Sequence, residues 1–293
     1  DEAALGEVYE SVAMVYEIAD AIRDGWLVPV KAHTVFVESL ELANVKTTAG
    51  DLNVGELAEQ MEREKVMHEI AASVTKECGD RRVILFTVSV RQAQLMADIL
   101  NDYRADSAKF VCGETPREER AELLEAHKRN EFQFVCNVGV LTEGYDDPGA
   151  SMIVIARPTK SRALFAQMLG RGTRPLPSTV DGDNLDTPEL RRAAIGTSGK
   201  PDLLCMDFAG NCGRHKLVTP ADVLGGKYSQ DDRDTAAAAL QDGGDVCEEL
   251  ERAKQNREDH AEQNTPDMLE YIGARQRIVT AAKYLLEEAD LFD

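Results

Sequence analysis

The chain has 293 residues, of which 43% are hydrophobic, and it carries a formal net charge of −20 at neutral pH. This length and hydrophobic content allow one large domain or two small ones with a sizeable core. No apolar run approaches the roughly 20 residues of a membrane span, and no basic-then-apolar leader opens the chain. We therefore expect a cytoplasmic protein without a membrane segment.

Six cysteines are scattered along the chain without a paired short spacing. This pattern argues against a zinc ribbon and favours reduced thiols in a cytosolic protein. Cys205, Cys212 and His215 are close in sequence, but no fourth ligand is evident, so no metal site is predicted.

The negative charge is unevenly distributed. Residues 81–180 hold 14 of the 33 basic residues and 12 of the 53 acidic ones, so this stretch is slightly basic. The rest of the chain carries the acidic excess. A nucleic-acid contact needs only a local basic patch, so the total charge does not exclude one within residues 81–180.

Along the chain, apolar stripes and short apolar runs alternate as in an α/β fold. Residues 1–30 predict a helix and its exit, because the helical stripe stops at Asp24-Gly25. The following patterns predict strands at 35–37, 83–87, 108–112, 132–136, 152–156 and 203–206, and helices at 57–76, 90–102, from Pro116 onward and from Ser161 onward.

The last part of the chain differs in composition. Residues 229–264 are acidic and are expected to be mobile or helical, whereas residues 265–293 show an apolar helical pattern. The predicted organisation is a linker helix (1–30), an α/β domain (31–228), this acidic segment and a C-terminal helical segment.

The stretch from 137 to 175 carries the most informative pattern. A buried strand passes into Thr142-Glu143-Gly144-Tyr145-Asp146, and a later helix ends in Gln167-Met168-Leu169-Gly170-Arg171-Gly172-Thr173-Arg174. Two arginines three residues apart can share one face of a helix. Guanidinium groups suit phosphate oxygens, because they are planar, always charged and able to bind bidentately.

A second polar turn lies between the strand at 83–87 and the helix at 90–102. It contains Thr87, Val88, Ser89 and Arg91. Backbone amides at the start of a helix attract phosphate, although Ser89 could equally be an ordinary helix cap.

These three stretches resemble motifs of the superfamily 2 helicases. Val83 to Ala93 is similar to motif IV, Thr142-x-Gly144-x-Asp146 to motif V, and Gln167-x-x-Gly170-Arg171-Gly172-x-Arg174 to motif VI. Their order over about a hundred residues resembles the second RecA-like domain of a DEAD/DEAH-type helicase, nearest the DNA-repair and restriction-enzyme branch. The implied fold is a mostly parallel sheet flanked by helices, with additional C-terminal helices.

The resemblance also implies roles for individual residues. Arg171 and Arg174 correspond to arginines that reach a triphosphate on the other motor domain, and Gly144, Asp146 and Gln167 lie beside the nucleotide. The residues expected to contact nucleic acid are Thr87, Val88, Ser89, Arg91, Gly113 and Thr142. The expected track is DNA, double-stranded or partly unwound.

No Gly-x-x-x-x-Gly-Lys-Ser/Thr loop occurs in the chain. The resemblance therefore implies that ATP and Mg²⁺ are held mainly by a separate N-terminal RecA-like domain, and that this chain alone is inactive. Two alternatives stay open at this stage. The chain could be a RecA-like module with a binding or regulatory role and no catalysis, or the motor part of a restriction-type translocase.

Overall fold

The computed structural model describes residues 14–141, 144–182 and 184–264, with no side chains described beyond 260. The strands in these residues are β1 (Val30–Glu41), β2 (Thr47–Thr48), β3 (Asp51–Leu52), β4 (Arg82–Thr87), β5 (Ala108–Val111), β6 (Phe134–Asn137), β7 (Ala150–Ala156), β8 (Leu203–Asn211) and β9 (Gly244–Asp245). The helices are α1 (Ile18–Arg23), α2 (Val54–Met61), α3 (Glu64–Glu77), α4 (Val90–Tyr103), α5 (Arg117–Lys128), α6 (Arg162–Gly170), α7 (Pro188–Gly196), α8 (Pro220–Leu224), α9 (Gln230–Ala239) and α10 (Val246–Asn264).

Seven strands form one sheet in the order β5-β6-β4-β7-β8-β1-β9. Every neighbouring pair is parallel except β1 and β9, which are antiparallel. Helices cover both faces, and β2 and β3 form a separate hairpin. The predicted α/β class, a mostly parallel RecA-like sheet flanked by helices, is confirmed.

The central strands are continuous apolar runs because helices bury them from both sides. Five of the six residues of β4 are buried, as are six of the seven residues of β7. Their side chains alternate between two hydrophobic clusters, one on each face. Ile153 belongs to the first cluster and Val154 to the second, as the alternation of a strand requires.

Strand β1 is much longer than the predicted strand at 35–37. Its twelve residues lie between β8 and β9, and polar residues such as Lys31, His33 and Thr34 interrupt its apolar pattern. Pairing with β8 therefore sets its length, which local composition does not indicate. The predicted helix at 57–76 is likewise divided into α2 and α3, because Arg63 has an extended backbone between them.

The acidic segment 229–264 contains two helices in the structure. Ala236 of α9 and Leu250 of α10 are buried in the cluster on the same face as Ile153. An apolar stripe on each helix thus adds to the core, although most of the surface of α10 is charged. The predicted helices in residues 1–13 and 265–293 lie outside the described residues.

The segment that follows α1 is anchored beside the end of α6. Val28 N donates to Thr173 O at 2.8 Å. The guanidinium of Arg191, on α7, lies 4.0 Å from the centre of the Trp26 ring, and its Nε donates to Asp24 O at 2.8 Å. A cation–π contact and backbone bonds together hold this entry segment on the domain.

Gly172 lies where the chain leaving α6 crosses the start of the sheet. A Cβ atom at this position would lie 2.4 Å from Leu203 Cδ1 and 2.9 Å from Ile153 Cγ1, and both neighbours are fully buried. Only glycine lets the backbone approach β7 and β8 this closely. At Gly170, by contrast, a Cβ would meet nothing within 4 Å.

We predict that Gly172→Ala lowers the free energy of unfolding by about 1–3 kcal/mol, because the added methyl group overpacks a rigid part of the core. Gly170→Ala is the matched control and is expected to leave stability unchanged or to raise it by up to about 1 kcal/mol. Urea denaturation of both variants measures the difference. Coincident midpoints for the two variants would contradict this account of the packing.

Candidate nucleotide and nucleic-acid sites

Helix α6 runs along the sheet from the carboxyl end of β7 toward its amino end, and the two motif VI arginines follow its last residue. It begins after the carboxyl end of β7, where Ser161 Oγ accepts a hydrogen bond from Leu164 N and caps the helix. It runs back across the sheet and ends at Gly170. Arg171 and Arg174 therefore lie near the amino end of β7, opposite the end at which parallel sheets commonly bind ligands.

The two arginines meet the motif V loop at this amino end. Arg171 Nη1 donates to Tyr145 O at 2.9 Å. Arg174 forms an ion pair with Asp146, and both side chains are more than half exposed. Gly144, which begins this part of the loop, has a φ of +71°, a conformation that glycine adopts without strain. The fold thus brings together Gly144, Asp146, Arg171 and Arg174.

Gln167 is exposed on α6, one turn before Arg171. The other predicted motif V residue, Thr142, lies outside the described residues. The nucleotide and strand roles of all these residues stay predictions.

Asp147 is a buried carboxylate that fixes this loop to the body of the domain. The sequence pattern did not single it out as functional. Asp147 accepts a hydrogen bond from Arg82 at 2.8 Å and one from the Tyr145 hydroxyl at 3.3 Å. His127 Nδ1 lies 3.4 Å from the same carboxylate, and His127 is fully buried. Burial pushes the pKa of Asp147 upward, but the hydrogen bond with His127 and the charge of Arg82 hold it below its usual value. Asp147 is therefore a buried, compensated anion.

Lys200 is a second buried group that the sequence did not reveal. It is 1% exposed, and its Nζ donates to Pro148 O at 2.8 Å and to Arg174 O at 2.7 Å. One ammonium group thus joins the motif V loop to the backbone of Arg174. Burial lowers the pKa of Lys200 to about 7. A lone lysine before a strand gives no sequence signal for such a role.

At the other end of the sheet, the motif IV turn is largely occupied by its own hydrogen bonds. The Thr87 hydroxyl, fully buried, donates to Asn137 O at 3.0 Å, and Val88 N donates to the Gln92 side chain at 2.8 Å. Ser89 caps α4 by accepting from Gln92 N, and its hydroxyl donates to Glu62 at 2.5 Å. Of the four predicted contacts here, the side chain of Arg91 is the one open to solvent, at 77% exposed.

Gly113, the predicted contact after β5, is exposed, and a Cβ there would meet no atom within 4 Å. It lies at the carboxyl end of its strand, as do Ser89 and Arg91 at the end of β4. A six-residue strand spans roughly 20 Å. The arginine pair therefore lies at the opposite end of the sheet from Gly113 and from the predicted contacts that follow β4, about that distance away.

Two general features of the described residues bear on partners. No helix among them is long and apolar enough to cross a membrane. Within the same ranges, no group of three or more His, Cys, Asp and Glu side chains is arranged to hold a metal ion.

We predict that stability depends on pH through Lys200. Because its pKa is about 7 in the folded protein and ordinary in the unfolded chain, the unfolded state binds the proton more tightly. The free energy of unfolding should then rise above pH 7, by up to about 1.4 kcal/mol per pH unit, relative to Lys200→Met. Denaturation between pH 6 and 9 tests this, with Lys109→Met, an exposed lysine, as control. Parallel curves for wild type and Lys200→Met would refute it.

Comparison with known proteins is consistent with the motifs. The family model described as "Helicase conserved C-terminal domain" matches residues 62–175. IRC3 of Saccharomyces cerevisiae, provisionally named an ATP-dependent helicase, is 30% identical over 59% of this chain and 25% of its own length. UvrABC system protein B of Natronomonas pharaonis is 25% identical over 68% of this chain and 31% of its own length.

Among solved structures, a fragment of a provisionally named HsdR subunit of a type I restriction enzyme from Vibrio vulnificus aligns with a TM-score of 0.48. It is 19% identical, and the alignment covers 73% of this chain and 42% of that chain. The chain spans about a quarter to a third of the length of the two curated relatives. From the family match, which includes all three motifs, we conclude that residues 62–175 form a helicase conserved C-terminal domain.

Proposed function

We propose that this chain is the second motor domain of an ATP-dependent helicase or translocase that acts on nucleic acid. The observation that carries the proposal is the meeting of Arg171 and Arg174 with the Gly144–Asp147 loop at one edge of the sheet. In the proposal, ATP and Mg²⁺ are bound mainly by a first RecA-like domain, and this edge faces them across a cleft. The chain alone is then inactive.

The two guanidinium groups would act on the transferring phosphoryl group. Negative charge spreads over its oxygens in the transition state, and preorganised cations stabilise that charge. Tyr145 O and the Asp147 network hold Arg171 close to the sheet, so little reorganisation is needed when phosphate arrives. Arg174, which is 59% exposed, would be the more mobile of the pair.

The ion pair between Arg174 and Asp146 would hold the Arg174 side chain in place when no nucleotide is bound. An exposed pair of this kind contributes about 0–1 kcal/mol, so a triphosphate can compete for the guanidinium. Release of Arg174 would free Asp146 for the ribose, which is one of the two roles that the family resemblance implies; the other is support of Arg171. Gln167 would complete the nucleotide edge.

Strand contacts would form at the opposite end of the sheet. Ser89, Arg91 and Gly113 are the proposed contacts there, with Thr87 and Val88 shaping the turn from within. Thr142 is a further proposed contact and lies outside the described residues. We propose DNA, double-stranded or partly unwound, because the motifs resemble the DNA-repair and restriction branch. A rigid parallel sheet between the two ends would transmit cleft closure to the bound strand.

The domain bounds and the location are also proposals. We propose residues 31–228 as the RecA-like domain, with 1–30 as its linker and 229–264 and 265–293 as appended segments. The six cysteines are free thiols, four of them buried, and suit a reducing compartment, so we place the motor in the cytoplasm.

The arginine role is tested in the protein joined to its first motor domain. We expect Arg174→Ala to lower nucleic-acid-stimulated ATP hydrolysis by about 10³-fold or more, as for comparable phosphoryl-transfer arginines. Arg129→Ala, an exposed arginine paired with Glu131, is the matched control and should hydrolyse ATP normally. Normal ATP hydrolysis by Arg174→Ala would show that Arg174 does not stabilise the transferring phosphoryl group. If the wild-type protein does not hydrolyse ATP, the alternative function is favoured, in which this chain is a binding or regulatory module without catalysis.

The strand-contact role is tested separately by salt-dependent DNA binding. Arg91→Ala should weaken binding and reduce the slope of log affinity against log salt by about 1, because one phosphate contact is lost. Arg129→Ala again serves as the control. An unchanged slope for Arg91→Ala would exclude Arg91 from the interface.

A further inference from the structure

A cavity of about 320 Å³ lies far from the arginine edge, on the sheet face covered by α8, α9 and α10. Its floor is formed by neighbouring residues of β1 and β8, and its walls by α9 and by the loop before α8. The lining residues used below are Thr34, Asp207, Leu217, Asp234, Ala237 and Gln241.

Asp207, on the floor, is a buried carboxylate with no cationic partner among the described residues. It is 6% exposed. Within the described part of the chain, it forms no ion pair with a lysine, arginine or histidine. Phe208 N supplies a backbone hydrogen bond to it. A buried acid of this kind is costly unless its charge is compensated.

Asp147 provides the contrast within the same protein. Both aspartates are nearly inaccessible, but Asp147 has Arg82 at 2.8 Å and His127 at 3.4 Å. The described residues thus include a cation beside Asp147, which supports the loop, and none paired with Asp207. A buried, perturbed acid that lines a cavity is a recognised mark of a functional site.

Thr34 places a buried hydroxyl without a hydrogen-bond partner among the described residues at the same place. It is the register partner of Asp207 across the parallel pair β1 and β8, so the two residues are neighbours about 5 Å apart on one face. An acceptor and a hydroxyl side by side can together receive a group with several N–H donors.

The remaining lining is mostly apolar. Its apolar members are Pro158, Ala209, Leu217, Val218, Ala237 and Ala238, and Cys212 and Thr219 complete this part of the lining. Asp234, more than half exposed and paired with Lys216 at 3.0 Å, and the exposed Gln241 lie at the solvent side. A ligand therefore needs an apolar stem that contacts the walls and a cationic head that reaches the floor.

We propose that this cavity binds a cation carried on an aliphatic stem, an alkylammonium or guanidinium group, with Asp207 and Thr34 as its polar partners. The source can be an arginine or lysine side chain presented by a protein segment, or a free aliphatic amine. Nothing in the proposed motor function requires this site, so the two proposals are independent.

Binding should depend on the ionisation of Asp207. Burial raises its pKa to about 7. The other charged or titratable groups on the neighbouring elements are Cys205 on β8, Asp234 on α9, and Cys212, Arg214, His215 and Lys216 in the loop after β8, while His33 points to the opposite face of β1. Affinity for a cation should therefore fall about tenfold between pH 8 and pH 6, as Asp207 takes up a proton.

The test uses this chain and three probes, with binding followed by NMR titration at pH 6 and pH 8. N-acetylarginine methylamide presents the side chain as a protein would, putrescine is a free amine, and N-acetylcitrulline methylamide is the uncharged isostere. We expect the cationic probes to bind at least tenfold more tightly than the citrulline probe at pH 8. The tighter of the two cationic probes identifies the source.

Asp207→Asn should abolish both the preference for charge and the pH dependence, whereas Asp98→Asn, an exposed aspartate, should retain both. Equal binding of arginine and citrulline probes to the wild type would overturn the proposal, and this comparison needs no variant. Failure of every probe to bind at pH 8, or unchanged binding by a folded Asp207→Asn variant, would overturn it as well.

Discussion

The architecture of the arginine edge depends on one buried ion pair, that of Asp147 with Arg82. A carboxylate with almost no exposure is stable here because Arg82 and His127 surround it and Gly149 N donates to it at 3.0 Å. Removing one partner of such a pair leaves an uncompensated buried charge, which commonly costs 3–5 kcal/mol. The pair therefore fixes the course of the loop that carries Asp146, and with it the partner of Arg174.

Three further contacts converge on the same edge. Lys200 joins Pro148 to Arg174, Gly172 lets the chain cross β7 at short range, and Val28 N reaches Thr173 O from the entry segment. Each acts on backbone rather than on the arginine side chains. The guanidinium groups thus extend from a rigid frame, and in the proposed function a phosphate would replace the exposed ion pair of Arg174.

The two buried aspartates show how one fold treats charge in two ways. Compensation keeps Asp147 ionised and structural, whereas Asp207 has a raised pKa and a cavity in front of it. The arginine edge lies at the amino end of the strands. Asp207 lies at the middle of β8, and the cavity extends from it to Ala209 and Pro158, toward the carboxyl ends of the strands, where α/β sheets more commonly bind ligands. A domain of this architecture therefore has room for a second site that does not compete with the first.

The sequence alone determined the fold class, the family and the motif residues. Long apolar runs such as Ile84–Phe86 and Ile153–Ile155 identify strands buried on both faces, because burial on both sides leaves no polar alternation. Arg171, Arg174 and Asp146 were identified because the stretches that contain them resemble helicase motifs V and VI. Only the tertiary structure decided which groups support them: Arg82, His127 and Lys200 lie far from Asp147 or Arg174 in sequence and show no local pattern. The length of β1 and the Asp207 cavity were also visible only in the tertiary structure. Pairing with β8 sets the length of β1 and places Thr34 beside Asp207. Local spacing encodes motifs, whereas burial and cross-strand register arise only when distant segments pack together.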